Sequence, residues 1–127
     1  MVPMSSTERL TTDHRQQLLT LARDSIREGL ANNRALAVTS SHWPEPLQAQ
    51  GASFVSLHRL DGTLRGCIGT LQARQPLVVD VAEHAYAAAF RDPRFPPLTF
   101  NELEAVTLTL SVLSTPEPLR VDSEAEL

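Results

Sequence analysis

Apolar positions follow two periods along this chain, and the switches between them mark its elements. Leu18, Leu19, Ala22, Ile26 and Leu30 recur every three to four residues, the stripe of a helix buried along one side. Thr12 or Asp13 can cap its start, and Asn32-Asn33 can take a left-handed stop after Gly29. The pattern predicts a helix over about 13–31. Residues 39–51 carry Ser40, Ser41, Pro44, Pro46 and Gly51 and read as loop, with Trp43 expected to cover an edge of the core. From Ala52 the period becomes two. Phe54, Ser56, His58 and Leu60 share one face, and Val55, Leu57 and Arg59 share the other. Asp61-Gly62 suits a tight turn, so residues of about 52–71 are expected to form a β-hairpin. A two-residue turn sets Thr63 opposite Leu60, Arg65 opposite His58 and Cys67 opposite Ser56. Arg65, Cys67, Gly69 and Leu71 then share a face, unless a bulge at either glycine breaks the alternation.

The helical period returns at Pro76. Leu77, Val78, Val81, Ala82, Ala85, Ala88 and Ala89 make a broad apolar face over about 76–90, with side chains small enough for close packing on a sheet. Asp80 and His84 are neighbours at i,i+4 off that face. Asp92-Pro93-Arg94-Phe95-Pro96-Pro97 stops the helix, and Phe95 is expected to anchor this loop to the core. Thr99 and Glu102 match a capping box for one helical turn at 100–103. Val106, Leu108, Leu110 and Val112 alternate with Thr107, Thr109 and Ser111, which predicts a strand over about 105–114. The class is therefore α+β: an antiparallel sheet from the hairpin and this strand, packed by the two helices. Residues 1–11 read as a flexible N-terminus, 12–120 as one domain ended by Pro116 and Pro118, and 121–127 as an acidic, unfinished helix start.

Composition narrows the function classes. A chain of 127 residues with 42% hydrophobic content suits one domain with a core. Its net charge of -4 gives no electrostatic reason to expect nucleic acid. No run of about 20 apolar residues exists to span a membrane, and the N-terminus lacks a signal peptide's apolar core. One cysteine cannot form an internal disulfide, which fits a cytoplasmic location. The four histidines and the cysteine show no zinc-ligand spacing, and the sequence leaves any cofactor open.

Candidate chemistry gathers at Leu64-Arg65-Gly66-Cys67-Ile68-Gly69-Thr70. Strand interiors rarely hold two glycines, so something is expected to approach the backbone here, or the strand bulges. Cys67 is a candidate nucleophile, and Arg65 on the same face is a candidate partner that favours thiolate or orients an anionic substrate. Gly66, Ile68, Gly69 and Thr70 are candidate ligand contacts through their backbone, with His58 diagonal to Cys67 and Arg94 on the proline-rich loop. The bland alternatives stand beside these. Cys67 can be a small buried side chain, Arg65 can pair with Glu83 or Asp92, and His58 and His84 can be ordinary histidines.

Three blocks occur here in order: Leu64 to Thr70, Asp92 to Leu98, and Leu110 to Leu113 with Pro116-Glu117-Pro118. Together they resemble the AMMECR domain family over residues of about 13–120, with Arg65-Gly66-Cys67-Ile68-Gly69 as the hallmark. The resemblance implies an α+β fold of a larger and a smaller subdomain, with the hallmark strand beside a cleft. It implies a soluble intracellular protein, and Memo-like and radical S-adenosylmethionine proteins as partners. It assigns no activity. Family domains continue past the last block, so this chain reads as C-terminally truncated, with self-association expected through an unpaired sheet edge. Three functions remain open: an enzyme using Cys67, a non-catalytic module binding a partner or small molecule, and a nonfunctional fragment.

Overall fold

The computed structural model describes residues 10–113. The expected N-terminal segment up to residue 9, the prolines at 116 and 118, and the stretch at 121–127 lie outside the described residues. Helix α1 (Thr12–Asn32) leads, followed by a 3₁₀ turn at Ser40–His42 and a short helix α2 (Glu45–Gln48). Strands β1 (Gln50–Arg59), β2 (Leu64–Gly69) and β3 (Gln75–Pro76) follow, then helix α3 (Leu77–Phe90). A short helix α4 (Phe100–Leu103) and strand β4 (Val106–Leu113) complete the order. The expected α+β class holds. So does the local chemistry of the ends. Asn33 closes α1 in the left-handed conformation, and Thr99 and Glu102 cap α4 reciprocally. The N-cap of α1 is Thr11 rather than Thr12 or Asp13, because its hydroxyl accepts from the His14 N–H while the His14 ring takes the Thr11 N–H. Residues 39–51 are less of a loop than expected. Pro44 and Pro46 sit at the start of α2, where a missing N–H costs nothing, and buried Leu47 pins it.

Strand β1 is the centre of a four-stranded antiparallel sheet. It pairs with β2 on one side and β4 on the other, and its first residues pair with β3. Val55 and Leu57 are fully buried on its inner face, where α3 crosses β1 and β2 and α1 packs over α3. Each such aliphatic side chain stabilises the fold by about 1.5–3 kcal/mol through the water it leaves. Ser25 joins three segments at that layer: its hydroxyl donates to the Ala82 carbonyl and accepts from the Leu36 N–H. Trp43 is partly buried against the core, as expected.

The hairpin differs from the expected two-residue turn. Arg59 N–H donates to the Thr63 carbonyl, so Leu60, Asp61 and Gly62 form a three-residue loop. Gly62 takes φ 90°, a conformation that a side chain disfavours, and Asp61 fixes the loop by accepting from Thr63. The longer loop sets His58 opposite Leu64. A bulge then inserts Arg65 as an extra residue, and beyond it Leu57 faces Gly66 and Ser56 faces Cys67. The expected pairing of Cys67 with Ser56 therefore holds, while those of Arg65 with His58 and Thr63 with Leu60 do not.

Candidate functional site

The bulge at Arg65 decides the geometry of the hallmark strand. It turns the arginine out of the alternation, so Arg65 and Cys67 do not share a face as the sequence suggests. Arg65 is 1% exposed. Its Nε and Nη2 form a fork on Glu102 at 2.8 and 3.1 Å, and Nη2 also donates to the Pro96 carbonyl at 2.7 Å. Neither Glu83 nor Asp92 is its partner. Glu102 sits at the third position of α4, so the residue that caps this short helix also anchors Arg65. The guanidinium holds the Glu102 carboxyl below its ordinary value, with a smaller contribution from the Thr99 N–H. Arg65 Nη1 is buried without an oxygen or nitrogen partner, and the guanidinium lies 5.7 Å from the Phe95 ring centroid. Phe95 thus anchors its loop among guanidinium groups instead of in the apolar core: Arg59 and Arg94 lie at 5.9 and 5.4 Å from the same ring.

The cation beside Cys67 is Arg94. Cys67 is partly exposed on the face of the sheet opposite the helices, where Ser56 Oγ donates to its Sγ at 3.1 Å. The Cys67 N–H points off the edge of β2 and donates to Asp92 Oδ2 at 3.0 Å. Asp92 is buried, and Arg94 grips both of its oxygens, at 3.0 and 2.7 Å. These bonds are the main reason the Asp92 carboxyl stays far below the usual carboxylate range, despite the opposing cost of burial. The Arg94 pKa is raised in turn, chiefly by Asp92, and the Cys67 sulfur is close enough to contribute. The Arg94 side chain is 57% exposed, so the cation next to the thiol faces water.

The glycines answer to the protein's own packing. A Cβ on Gly66 would collide with the Ala88 carbonyl oxygen of α3, and one on Gly69 with the Phe54 ring and the Ser53 carbonyl. What approaches the strand is therefore a helix backbone on one side and an aromatic ring on the other. Ile68 pairs with Val55 and packs against the core. Thr70 donates its N–H to Ser53 O and takes the Gln72 N–H on its hydroxyl, closing the strand. His58 lies on the open face, diagonal to Cys67, and its ring makes no hydrogen bond among the described residues. Diagonal positions of this kind lie about 7–8 Å apart at the backbone, so the strand ladder by itself does not hold the imidazole against the thiol.

A second polar cluster lies behind β1. Ser53 is fully buried and donates to Asp80 Oδ2 at 2.7 Å. His84 Nδ1 lies 3.1 Å from the same oxygen and 3.3 Å from Ser53 Oγ, while Gln75 donates to Asp80 Oδ1 at 3.0 Å. Burial pushes the Asp80 carboxyl up, but donors from His84, Gln75 and Ser53 outweigh it and leave the pKa below its ordinary value. Ser53 and Asp80 meet the same ring nitrogen, so no relay runs from hydroxyl through imidazole to carboxylate. The expected i,i+4 pair of Asp80 and His84 forms, and Ser53 is the member that periodicity alone did not single out. A hydroxyl at a core-facing position between Gly51 and Val55 was its signal, since such a group needs a buried partner. No group of three or more metal-ligating side chains occurs among the described residues, and none of their helices is long and apolar enough to cross a membrane.

A family model described as AMMECR1 matches residues 19–127. The chain belongs to the AMMECR1 family. An AMMECR1-type relative from Thermotoga maritima is 45% identical over 85 residues, 65% of this chain and 49% of its own length. One from Methanothermobacter thermautotrophicus is 38% identical over 117 residues, covering 92% of this chain and 60% of the relative. In structure, the chain is similar to an uncharacterized protein, PH0010, from Pyrococcus horikoshii. The TM-score is 0.69 at 34% identity, over 76% of this chain and 49% of that one. The chain thus spans about half to three-fifths of the length of these relatives. Their names assign no activity to the AMMECR1 fold.

Proposed function

We propose that this AMMECR1 domain binds an anionic ligand on the open sheet face, with Arg94 as the anchoring cation and the Cys67 thiol as the group the ligand meets. The observation that carries it is the exposed Arg94 guanidinium beside a partly exposed thiol, with that guanidinium and the Cys67 backbone N–H both donating to buried Asp92. Asp92 fixes the Arg94 fork and leaves its outer side toward solvent, so an anion is met by an oriented donor at little entropic cost. Arg65 serves this site as an internal support. In the catalytic form of the reading, Cys67 adds across a C=O or activated C=C bond of the anionic substrate: sulfur bonds to carbon, the π pair moves to the far atom, and that end of the substrate takes up the thiol proton.

A second reading, a non-catalytic module for Memo-like and radical S-adenosylmethionine partners, draws on the character of the same face. Phe54, Ser56, His58, Thr107, Thr109 and Ser111 share it by register, and none carries a carboxylate, ammonium or guanidinium. Ser56 Oγ is the hydrogen-bond partner of Cys67 Sγ among the described residues, and it donates. A hydroxyl donor of this kind is not the base that a self-sufficient cysteine nucleophile uses.

Alkylation rates test the first reading. Iodoacetate carries a carboxylate and iodoacetamide does not. The ratio of their rates at Cys67 should exceed that of a free cysteine peptide several-fold at low salt, and Arg94→Gln should bring it back. A ratio equal to the peptide's, or unchanged by Arg94→Gln, rejects an anion site at Cys67. Capture of purified Memo-like or radical proteins by Cys67→Ser as readily as by the unchanged chain would support the adaptor reading.

A further inference from the structure

The cluster of Ser53, Asp80 and His84 lies on the helix side of the sheet, and the anion site at Cys67 does not use it. Ser53 follows the inward alternation of Val55 and Leu57 beneath α3, while Cys67 looks the other way. Distances within the cluster assign its protons. Asp80 is 2% exposed and its carboxyl is held below the ordinary value, so both of its oxygens accept. Ser53 Oγ gives its one hydrogen to Asp80 Oδ2 at 2.7 Å. Toward His84 Nδ1, 3.3 Å away, the same hydroxyl therefore offers only a lone pair. His84 Nδ1 thus faces two acceptors, that lone pair and Asp80 Oδ2 at 3.1 Å. A hydrogen on Nδ1 satisfies both, and it leaves His84 Nε2 with a bare lone pair in the neutral ring. This Nε2 makes no hydrogen bond among the described residues and is not one of their sealed polar atoms, so solvent reaches it. The Gln75 amide donates to both Asp80 Oδ1 and Glu83 Oε1, at 3.0 and 3.1 Å. Held by Ser53, Gln75 and His84 together, the Asp80 carboxylate cannot turn away from the ring.

We propose that His84 is a second reactive centre of this chain, a general base whose Nε2 takes a proton from a neutral or cationic ligand, with Asp80 as its positioning residue. A carboxylate on the Nδ1 hydrogen fixes the tautomer and orientation of an imidazole. It also offsets the positive charge that the ring gains with a second proton. The charge of the ligand follows from the neighbours. Asp80 and Glu83 are joined through Gln75, and neither forms an ion pair with an arginine among the described residues. Two such carboxylates repel an anion and tolerate a hydroxyl or an ammonium, the opposite preference to that of Arg94. With water as the proton source and a neutral ester as the ligand, the water oxygen bonds to the carbonyl carbon and one water proton passes to Nε2. The C–O bond to the leaving group breaks, and the leaving oxygen departs with the electron pair. The ring then returns its proton to that oxygen or to solvent.

Long-range proton–nitrogen correlation spectra of the full chain read the tautomer directly and need no substitution. Neutral His84 is expected with its hydrogen on Nδ1, whereas a free histidine ring favours Nε2. A hydrogen on Nε2 overturns the inference. Turnover is read with p-nitrophenyl acetate, a neutral ester, in a Cys67→Ser background that removes the competing thiol. Release of p-nitrophenolate should fall several-fold in His84→Asn, whose amide keeps a donor for Asp80 and offers no base. The anionic ester 4-acetoxy-3-nitrobenzoate tests the charge preference. Relative to free imidazole at low salt, the chain should favour the neutral ester over it. A rate that His84→Asn leaves unchanged overturns the inference, as does a preference for the anionic ester.

Discussion

Replacing Glu102 with Gln asks whether Arg65 is part of the scaffold or of the site. Arg65 is 1% exposed and its forked partner is 36% exposed. Breaking a fully buried ion pair leaves a stranded charge and costs about 3–5 kcal/mol, whereas an exposed pair contributes about 0–1 kcal/mol. Glu102 lies between these limits, because water reaches one side of its carboxylate. Gln also keeps an oxygen for one of the two bonds, so the expected loss is about 2 kcal/mol, or about 8 °C in Tm. Part of that loss comes from Arg65 Nη1, which is already without a polar partner and cannot turn to another. Removing the charge instead, by Arg65→Met, leaves nothing stranded. The double variant should therefore be more stable than the two single losses added together, with a coupling of about 1–2 kcal/mol. Urea unfolding followed by far-UV circular dichroism measures all four corners of the cycle.

Acid supplies a second check on the same pair. The folded-state pKa of Glu102 is depressed, so its contribution is complete above the unfolded value of about 4.3 and is lost as pH falls through the folded value. The unchanged chain should lose stability across that window, and Glu102→Gln should lose correspondingly less. A loss under about 0.5 kcal/mol for Glu102→Gln, or simple additivity with Arg65→Met, refutes the structural role and returns Arg65 to the ligand site.

Two further outcomes follow from packing. Gly66→Ala and Gly69→Ala should each destabilise the chain by about 1–3 kcal/mol, because a Cβ at either position meets a backbone carbonyl, Ala88 O or Ser53 O; thermal unfolding of the two variants measures this, and a negligible shift for Gly66→Ala contradicts the close approach of α3. Ser53→Ala should cost about 1–3 kcal/mol and raise the pH of acid unfolding, because buried Asp80 loses a donor that helps hold its pKa down; an unchanged acid midpoint contradicts the network.

The sequence alone determined what depends on neighbours within a few residues. The stripe through Leu18, Ala22 and Ile26, the alternation of Val106 to Val112, the Thr99–Glu102 box and the left-handed stop at Asn33 are all local, and periodicity or capping chemistry suffices to read them. The hallmark strand also stood out locally, since two glycines around one cysteine demand a close approach. What approaches was decided by tertiary structure. Ala88 O and Phe54 reach those glycines from elements that the sequence does not register against them. The bulge at Arg65 was invisible for a related reason: a three-residue turn and one extra strand residue offset each other, so Ser56 still meets Cys67 while Arg65 leaves their face. Its partner, Glu102, lies 37 positions away, and Asp92 lies 25 positions from the amide it holds. Such pairings are fixed by where α4 and the proline-rich loop come to rest against β2. That placement buries Arg65 and leaves Arg94 as the exposed guanidinium beside Cys67.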